Sequence, residues 1–128
     1  MTEGSAGFDL RACLAEPVTL EPQQRRLIPT GFRMALPARC EGQIRPRSGL
    51  AWRHGLTLLN TPGTVDEDYR GEVKVLMINL GTEPHTIRHG DRIAQLVVAP
   101  VAPVLAEETN ELPATERGEG GFGHTGSA

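Results

Sequence analysis

Aromatic residues are scarce in this chain: three Phe, one Tyr and one Trp among 128 residues. That is a small supply for a core, and three of the five, Phe8, Tyr69 and Phe122, stand in segments that are candidates for ligand contact. Cysteine is scarcer still. Cys13 and Cys40 are lone thiols without metal-ligand spacing, which argues against a disulfide framework and for a reducing cytoplasm. No apolar run is near the length of a membrane span, and no charged-then-apolar segment opens the chain as a secretion signal. An excess of basic residues is also missing. A net charge of −3 and a pI near 5.8 argue against the broad cationic face of a nucleic-acid binder, so cations meant for an anionic ligand must be gathered locally. Sustained helical periodicity and internal repeats are absent too.

What is present is one domain's worth of chain, able to bury roughly two-thirds of its unfolded surface. Short apolar runs alternate with Gly, Pro and Asn: Val18–Leu20, Arg26–Ile28, Phe32–Leu36, Gln43–Arg45, Leu56–Leu59, Glu72–Ile78, His85–Ile87 and Arg92–Val98. Their spacing predicts an all-β sandwich or barrel. Pro62-Gly63, between Leu59 and Val65, predicts a hairpin tip with Gly63 at positive φ. One short helix is expected, with Ser48 as its cap, Leu50–His54 as its body and Gly55 as its stop. The Pro-, Ala- and Glu-rich segment 101–116 suits an extended arm crossing to another subunit.

The segment Arg117-Gly-Glu-Gly-Gly-Phe122-Gly-His-Thr-Gly126 is half glycine, which loses much backbone entropy if it is held still. A cation at its start and a flat ring in its middle suit a nucleotide, with the base stacked on Phe122 and a phosphate on Arg117; a frayed polar tail is the plainer alternative. Gly118, Gly120 and Gly123 also match Gly-x-Gly-x-x-Gly, but a dinucleotide fold needs a strand before this motif and a helix after it.

The densest polar segment is Asn60-Thr-Pro-Gly-Thr-Val-Asp66-Glu-Asp-Tyr69-Arg-Gly71. Asn60 offers both donor and acceptor, as a uracil edge requires, and Asp66 supplies a carboxylate able to hold and deprotonate a water. A plain acidic turn is the alternative. An EF-hand is excluded, because Arg70 and Met77 occupy positions that must ligate calcium. Pro46-Arg47-Ser48-Gly49-Leu50 places a guanidinium and a hydroxyl where the short helix begins, a phosphate-attracting arrangement or an ordinary cap with a surface arginine. Ala6-Gly-Phe-Asp9-Leu10 offers Asp9 to a hydrated metal or to a turn. Gly90-Asp-Arg-Ile-Ala-Gln95-Leu96 sets Gln95 within a strand, where it faces either a partner or solvent. His85-x-x-x-His89 has zinc-like spacing, but Pro84 and Gly90 bracket it as strand and turn, which disfavours metal there.

Taken together, these five segments resemble the five motifs of the trimeric dUTPases, in family order and over nearly the whole chain. The resemblance implies a single jelly-roll-like β domain in an all-β, threefold trimer, with residues 1–116 carrying the exchanged arm 101–116 and residues 117–128 forming a flexible lid. It implies Mg²⁺-dependent hydrolysis of dUTP to dUMP and pyrophosphate, which keeps uracil out of DNA and supplies dUMP for thymidylate synthesis. Asp66 then holds the attacking water, and Asn60 with the amides of Gly63, Thr64 and Val65 reads uracil. Tyr69 packs under deoxyribose and would clash with a 2′-hydroxyl. Arg47, Ser48, Gly49 and Gln95 hold phosphates, Ser48 and Gln95 also assisting catalysis, and Asp9 orders water around the magnesium. Phe122 with Gly123 and His124 closes over the base, and Arg117 meets the terminal phosphate.

Two departures from the family pattern stand out. Phe8 replaces a more frequent tyrosine, a loss that the neighbouring Asp9 should make tolerable. Only Met1–Ser5 precede the first motif, where family members usually have a further strand, so either that strand lies upstream or the trimer manages without it. The nearest rival is a deoxycytidine nucleotide deaminase of the same architecture; Asn60, Asp66 and Tyr69 suit the hydrolase instead, and the zinc-deaminase signature is absent. A non-catalytic nucleotide-binding trimer is disfavoured by Asp66, since a mere binder would do better without a carboxylate beside phosphates.

Overall fold

Alternation of apolar and polar residues, broken by glycine and proline, folds into nine short strands and one helix in a computed structural model that describes residues 2–126. In chain order these are β1 (Phe8–Arg11), β2 (Val18–Leu20), β3 (Arg25–Pro29), β4 (Cys40–Pro46), α1 (Ser48–His54), β5 (Leu56–Leu58), β6 (Gly63–Val65), β7 (Lys74–Asn79), β8 (His85–Ile87) and β9 (Arg92–Pro100). A four-stranded sheet runs β1-β9-β4-β6, a three-stranded sheet runs β3-β7-β5, and β2 pairs β8. Every pairing is antiparallel. Side chains alternate across a strand. Leu10, Ile44 and Leu96 therefore point from the first sheet into one core, where they meet Leu56, Val75 and Met77 of the second. The opposite face of the four-stranded sheet carries Asp9, Gln95 and Arg45 in one cross-strand row.

The architecture is mostly β-sheet with one short helix, as the apolar runs predict. It differs from the sequence expectation in four places. Phe8–Arg11 is a strand that the polar look of its motif concealed. Gly7 makes this possible: a Cβ there would stand 2.3 Å from the Leu96 carbonyl oxygen, so only glycine lets the chain approach β9. Phe32–Leu36 is expected as a strand, and its side chains do alternate between half-buried and exposed, but it is not a strand. It is held by Phe32, Met34 and Leu36 packing on the core and by the Phe32 carbonyl, which accepts from the N–H of Val73, just before β7, at 3.0 Å.

The third difference lies at Pro62-Gly63. β5 and β6 do not pair with each other; β5 joins β7 and β6 joins β4, so the segment between them is a corner from one sheet to the other. Gly63 lies within β6 and lacks the positive φ expected of it. What favours glycine there is space, because a Cβ would stand a tight 3.3 Å from both Ile44 Cβ and Asn60 Nδ2. Fourth, Ser48 is the first helical residue and not the cap. Arg47 holds the cap position with φ −91° and makes no side-chain cap bond, which leaves the Ser48 hydroxyl exposed. Gly55 ends α1 in the left-handed region as expected, at φ 66°.

Candidate active site

Two polar clusters form on the domain, and each is built by the close pairing of β4 with a neighbour. The first surrounds a slot of about 250 Å³ lined by Asn60, Gly63, Thr64, Val65, Asp66 and Tyr69, with Ile44, Val73 and Lys74 among its walls. Val65 is buried and anchors the slot to the core, while Thr64 and Asp66 on either side of it point outward. Asn60 arrives from the corner and lays its amide across Gly63. The Tyr69 hydroxyl donates to the Glu72 carbonyl at 2.9 Å, and its ring stays 45% exposed, so one face is available to a ligand. The Asp66 carboxylate is exposed and makes no hydrogen bond or ion pair among the described residues. Its backbone oxygen accepts from Tyr69 N–H at 3.1 Å, closing the turn that holds the two side chains in one slot.

The second cluster gathers on the outer face of β1, β9 and the start of α1. Asp9 stands opposite Gln95, and Gln95 opposite Arg45. Asp9 ion-pairs with Arg47 Nε at 3.3 Å and with Arg92 Nη1 at 3.5 Å. The Arg47 Nε is shut off from solvent and misaligned for a hydrogen bond; the pairing is a matter of charge more than of directed bonding. Gln95 is exposed and its amide bonds nothing among the described residues, so it is free for a ligand. Ser48 and Gly49 follow Arg47 on the first turn of α1. A groove of about 420 Å³ beside Asp9 and Gln95 is lined also by Thr2, Ser5 and Ala6–Phe8. Arg92, which sequence reasoning assigned no role, completes this cluster. Its signal lay only in the register of β9, which no local pattern reveals.

The two grooves have no lining residue in common. The third set of expected residues stands apart from both. The segment 101–126 is exposed apart from a partial burial of Gly120 and Gly121, and beyond Val101 its hydrogen bonds among the described residues stay within the segment itself. Arg117 Nε donates to Gly120 O at 2.7 Å, and Phe122 is fully exposed at φ 50° beside Gly123 at φ 84°. His124 N–H donates to Gly121 O at 3.1 Å. Thus the structure brings Asn60, Gly63–Asp66 and Tyr69 together, brings Asp9, Arg47 and Gln95 together, and sets none of Arg117, Phe122, Gly123 and His124 in the lining of either groove.

Among the described residues no group of three or more His, Cys, Asp or Glu converges as a metal site. Asp9, with both oxygens facing guanidinium groups, does not fit a protein-held cation. It does fit the outer shell of a Mg²⁺ that arrives on a nucleotide, because this ion keeps its waters and takes most of its ligands from phosphates. A clear pKa displacement lies next to this cluster. Burial, and then the neighbouring His54, pull His85 below the usual histidine value, against a smaller upward pull from Asp91. His85 lines a groove with Arg47 and Arg92.

The chain matches the family model described as dUTPase over residues 1–126. It is 62% identical over 125 residues to the deoxyuridine 5'-triphosphate nucleotidohydrolase of Desulfotalea psychrophila, covering 98% of this chain and 83% of that protein. The corresponding protein of Rhizobium meliloti is 59% identical over 128 residues, covering 98% and 80%. Among solved structures, that of the Staphylococcus bacteriophage 80alpha dUTPase with dUpNHpp superposes with a TM-score of 0.89 at 26% identity, over 99% of this chain and 89% of that one.

Proposed function

The chain belongs to the dUTPase family, and from that premise we propose that it hydrolyses dUTP to dUMP and pyrophosphate by water attack at the α-phosphorus, in a homotrimer whose sites are shared between subunits. The observation that carries the reading is the slot, in which a base-reading amide, free strand-edge backbone, an unpartnered carboxylate and a half-exposed tyrosine ring converge. Asn60 and the amides of Gly63–Val65 read the uracil edge, and the narrow corner leaves no room for a 5-methyl group. The Tyr69 ring packs under deoxyribose and excludes a 2′-hydroxyl. Asp66 holds a water in line with the leaving pyrophosphate and takes its proton as the new P–O bond forms. Arg47, Ser48, Gly49 and Gln95 grip phosphate oxygens, and the charge that develops on them is met by guanidinium and amide donors.

Mg²⁺ bound with the nucleotide would supply charge neutralisation on the triphosphate, and Asp9 would hold it through water. Phe122, Gly123 and His124 close over the base and Arg117 meets the terminal phosphate, excluding bulk water. The separation of the slot from the phosphate-gripping cluster supports the shared-site reading, and so does an arm that bonds little to its own domain. The product supplies thymidylate synthesis and uracil is kept out of DNA, roles that place the enzyme in the cytoplasm. One assay tests the reading: pyrophosphate release from dUTP and from each of the four ordinary dNTPs with Mg²⁺. Rapid release from dUTP alone is expected. Ammonia release from dCTP, or no turnover of any nucleotide, overturns it.

A further inference from the structure

A side chain that selects a sugar by contact must itself be held in place, and Tyr69 is held by two neighbours that the mechanism above leaves without a part. Its ring passes so closely over the backbone of Gly71 that a Cβ added there would stand 2.3 Å from the phenol oxygen, 2.5 Å from Cζ and 2.8 Å from Cε2. All three lie well inside contact distance, so only glycine admits the ring in this position. The phenol then reaches past Gly71 to the carbonyl of Glu72.

That carbonyl is fixed from both sides. The Glu72 carboxylate accepts from Gly31 N–H at 2.9 Å. The next residue, buried Val73, donates its N–H to Phe32 O at 3.0 Å and accepts from the Thr30 hydroxyl at 2.6 Å. Gly31 presents its amide from a left-handed turn at φ +80°, where a side chain would also strike Cys13. We propose that Gly71 and Glu72 are positioning residues for Tyr69 and thereby determine the preference for deoxyribose over ribose, an inference that rests on the slot being the dUTP site. Glu72 acts through its backbone oxygen, while its carboxylate serves the Thr30–Gly31 turn and does no chemistry on the nucleotide.

The test compares kcat/KM for dUTP and UTP in the wild type and in Gly71→Ala, Glu72→Ala, Glu72→Gln, Tyr69→Ala and the double variant Tyr69→Ala/Gly71→Ala. Gly71→Ala and Glu72→Ala should lower the dUTP:UTP ratio by about tenfold, the scale expected when a positioning contact moves by a fraction of an ångström. The loss should fall mainly on KM for dUTP. Glu72→Gln should keep the wild-type ratio, because its amide oxygen can still accept from Gly31. In the Tyr69→Ala background Gly71→Ala should change the ratio no further, since the two residues act through one ring. If Gly71→Ala fails to fold, the Glu72 pair carries the same test. An unchanged ratio in Gly71→Ala and Glu72→Ala overturns the inference, as does an additive effect in the double variant. Selective dUTP hydrolysis by the wild type with an unchanged ratio in the variants sinks this inference alone; a wild type inert toward dUTP sinks the proposed function with it.

Discussion

Asp66 leaves its carboxylate exposed at the slot, beside the residues to which the proposed function gives the recognition contacts. Replacing it with Asn keeps the shape but removes the carboxylate proposed as the base. Asp66→Asn should therefore retain affinity for a non-hydrolysable dUTP analogue, measured by calorimetry, while pyrophosphate release falls by ~10²–10⁴; near-normal turnover would exclude Asp66 as the group that activates water. His85 offers a different residue-scale test. Its ring centroid lies 4.6 Å from that of His54, and burial together with that neighbour lowers its pKa in the folded protein. The unfolded chain then takes up a proton first as pH falls. The contribution to stability is fully present above about 6.5 and is lost as pH drops through the lower folded value. His85→Gln should flatten the fall in Tm between about pH 7 and pH 5 relative to wild type. Parallel Tm curves for the two proteins would show that His85 does not carry the effect.

Strands and helix each depend on a few positions. α1 buries none of its residues, so its end is set by Gly55, whose amide bonds the Ala51 and Leu50 carbonyls. A Cβ at Gly55 would stand 2.5 Å from Gly81 N, in addition to the positive φ. Gly55→Ala should cost about 1–3 kcal/mol, more than helix propensity alone, read as a lower urea midpoint with unchanged slope. Core substitutions act through the sheet instead. Leu96 is fully buried on β9 between β1 and β4, and Leu96→Ala should cost ~2–5 kcal/mol by the same measurement. Since β9 also sets Gln95 opposite Asp9, that variant should lose dUTP affinity as well as stability.

On the scale of the whole molecule, the slot and the Asp9–Arg47–Gln95 cluster share no lining residue, and the tail lines neither groove. Val104, Leu105 and Leu112 are 91%, 98% and 83% exposed, an arrangement that gains free energy only when another surface covers it. The proposed trimer, in which each site takes the slot from one chain, the phosphate grip from a second and the tail from a third, would unite them. Chains carrying Asp66→Ala and chains truncated after Glu116 should each form nearly inactive trimers. Tail loss removes the Phe122 stack, worth ~1–3 kcal/mol by analogy with other base-stacking aromatics. Co-refolding the two should restore activity above either parent, with a maximum at intermediate ratios. If mass measurement shows mixed trimers and activity never rises, each site uses its own tail.

Sequence by itself determined the class of fold and nominated the residues of the candidate site. Turn-forming residues between short apolar runs already specify antiparallel strands, and Val18–Leu20 and His85–Ile87 are legible to the residue because their ends are marked locally. The helix was legible through Gly55, while its start was misplaced by one residue because Arg47 caps by backbone geometry alone. Tertiary structure decided what depends on register and close approach. Phe8–Arg11 is a strand only because Gly7 lets it reach β9, and Asp9 meets Arg47 and Arg92 only because β1, β9 and β4 lie side by side. The corner at Pro62-Gly63 joins two sheets because Leu56 and Leu58 are buried in one and Val65 in the other. Such choices are made by contacts between residues far apart in the chain, and a local pattern carries no record of them.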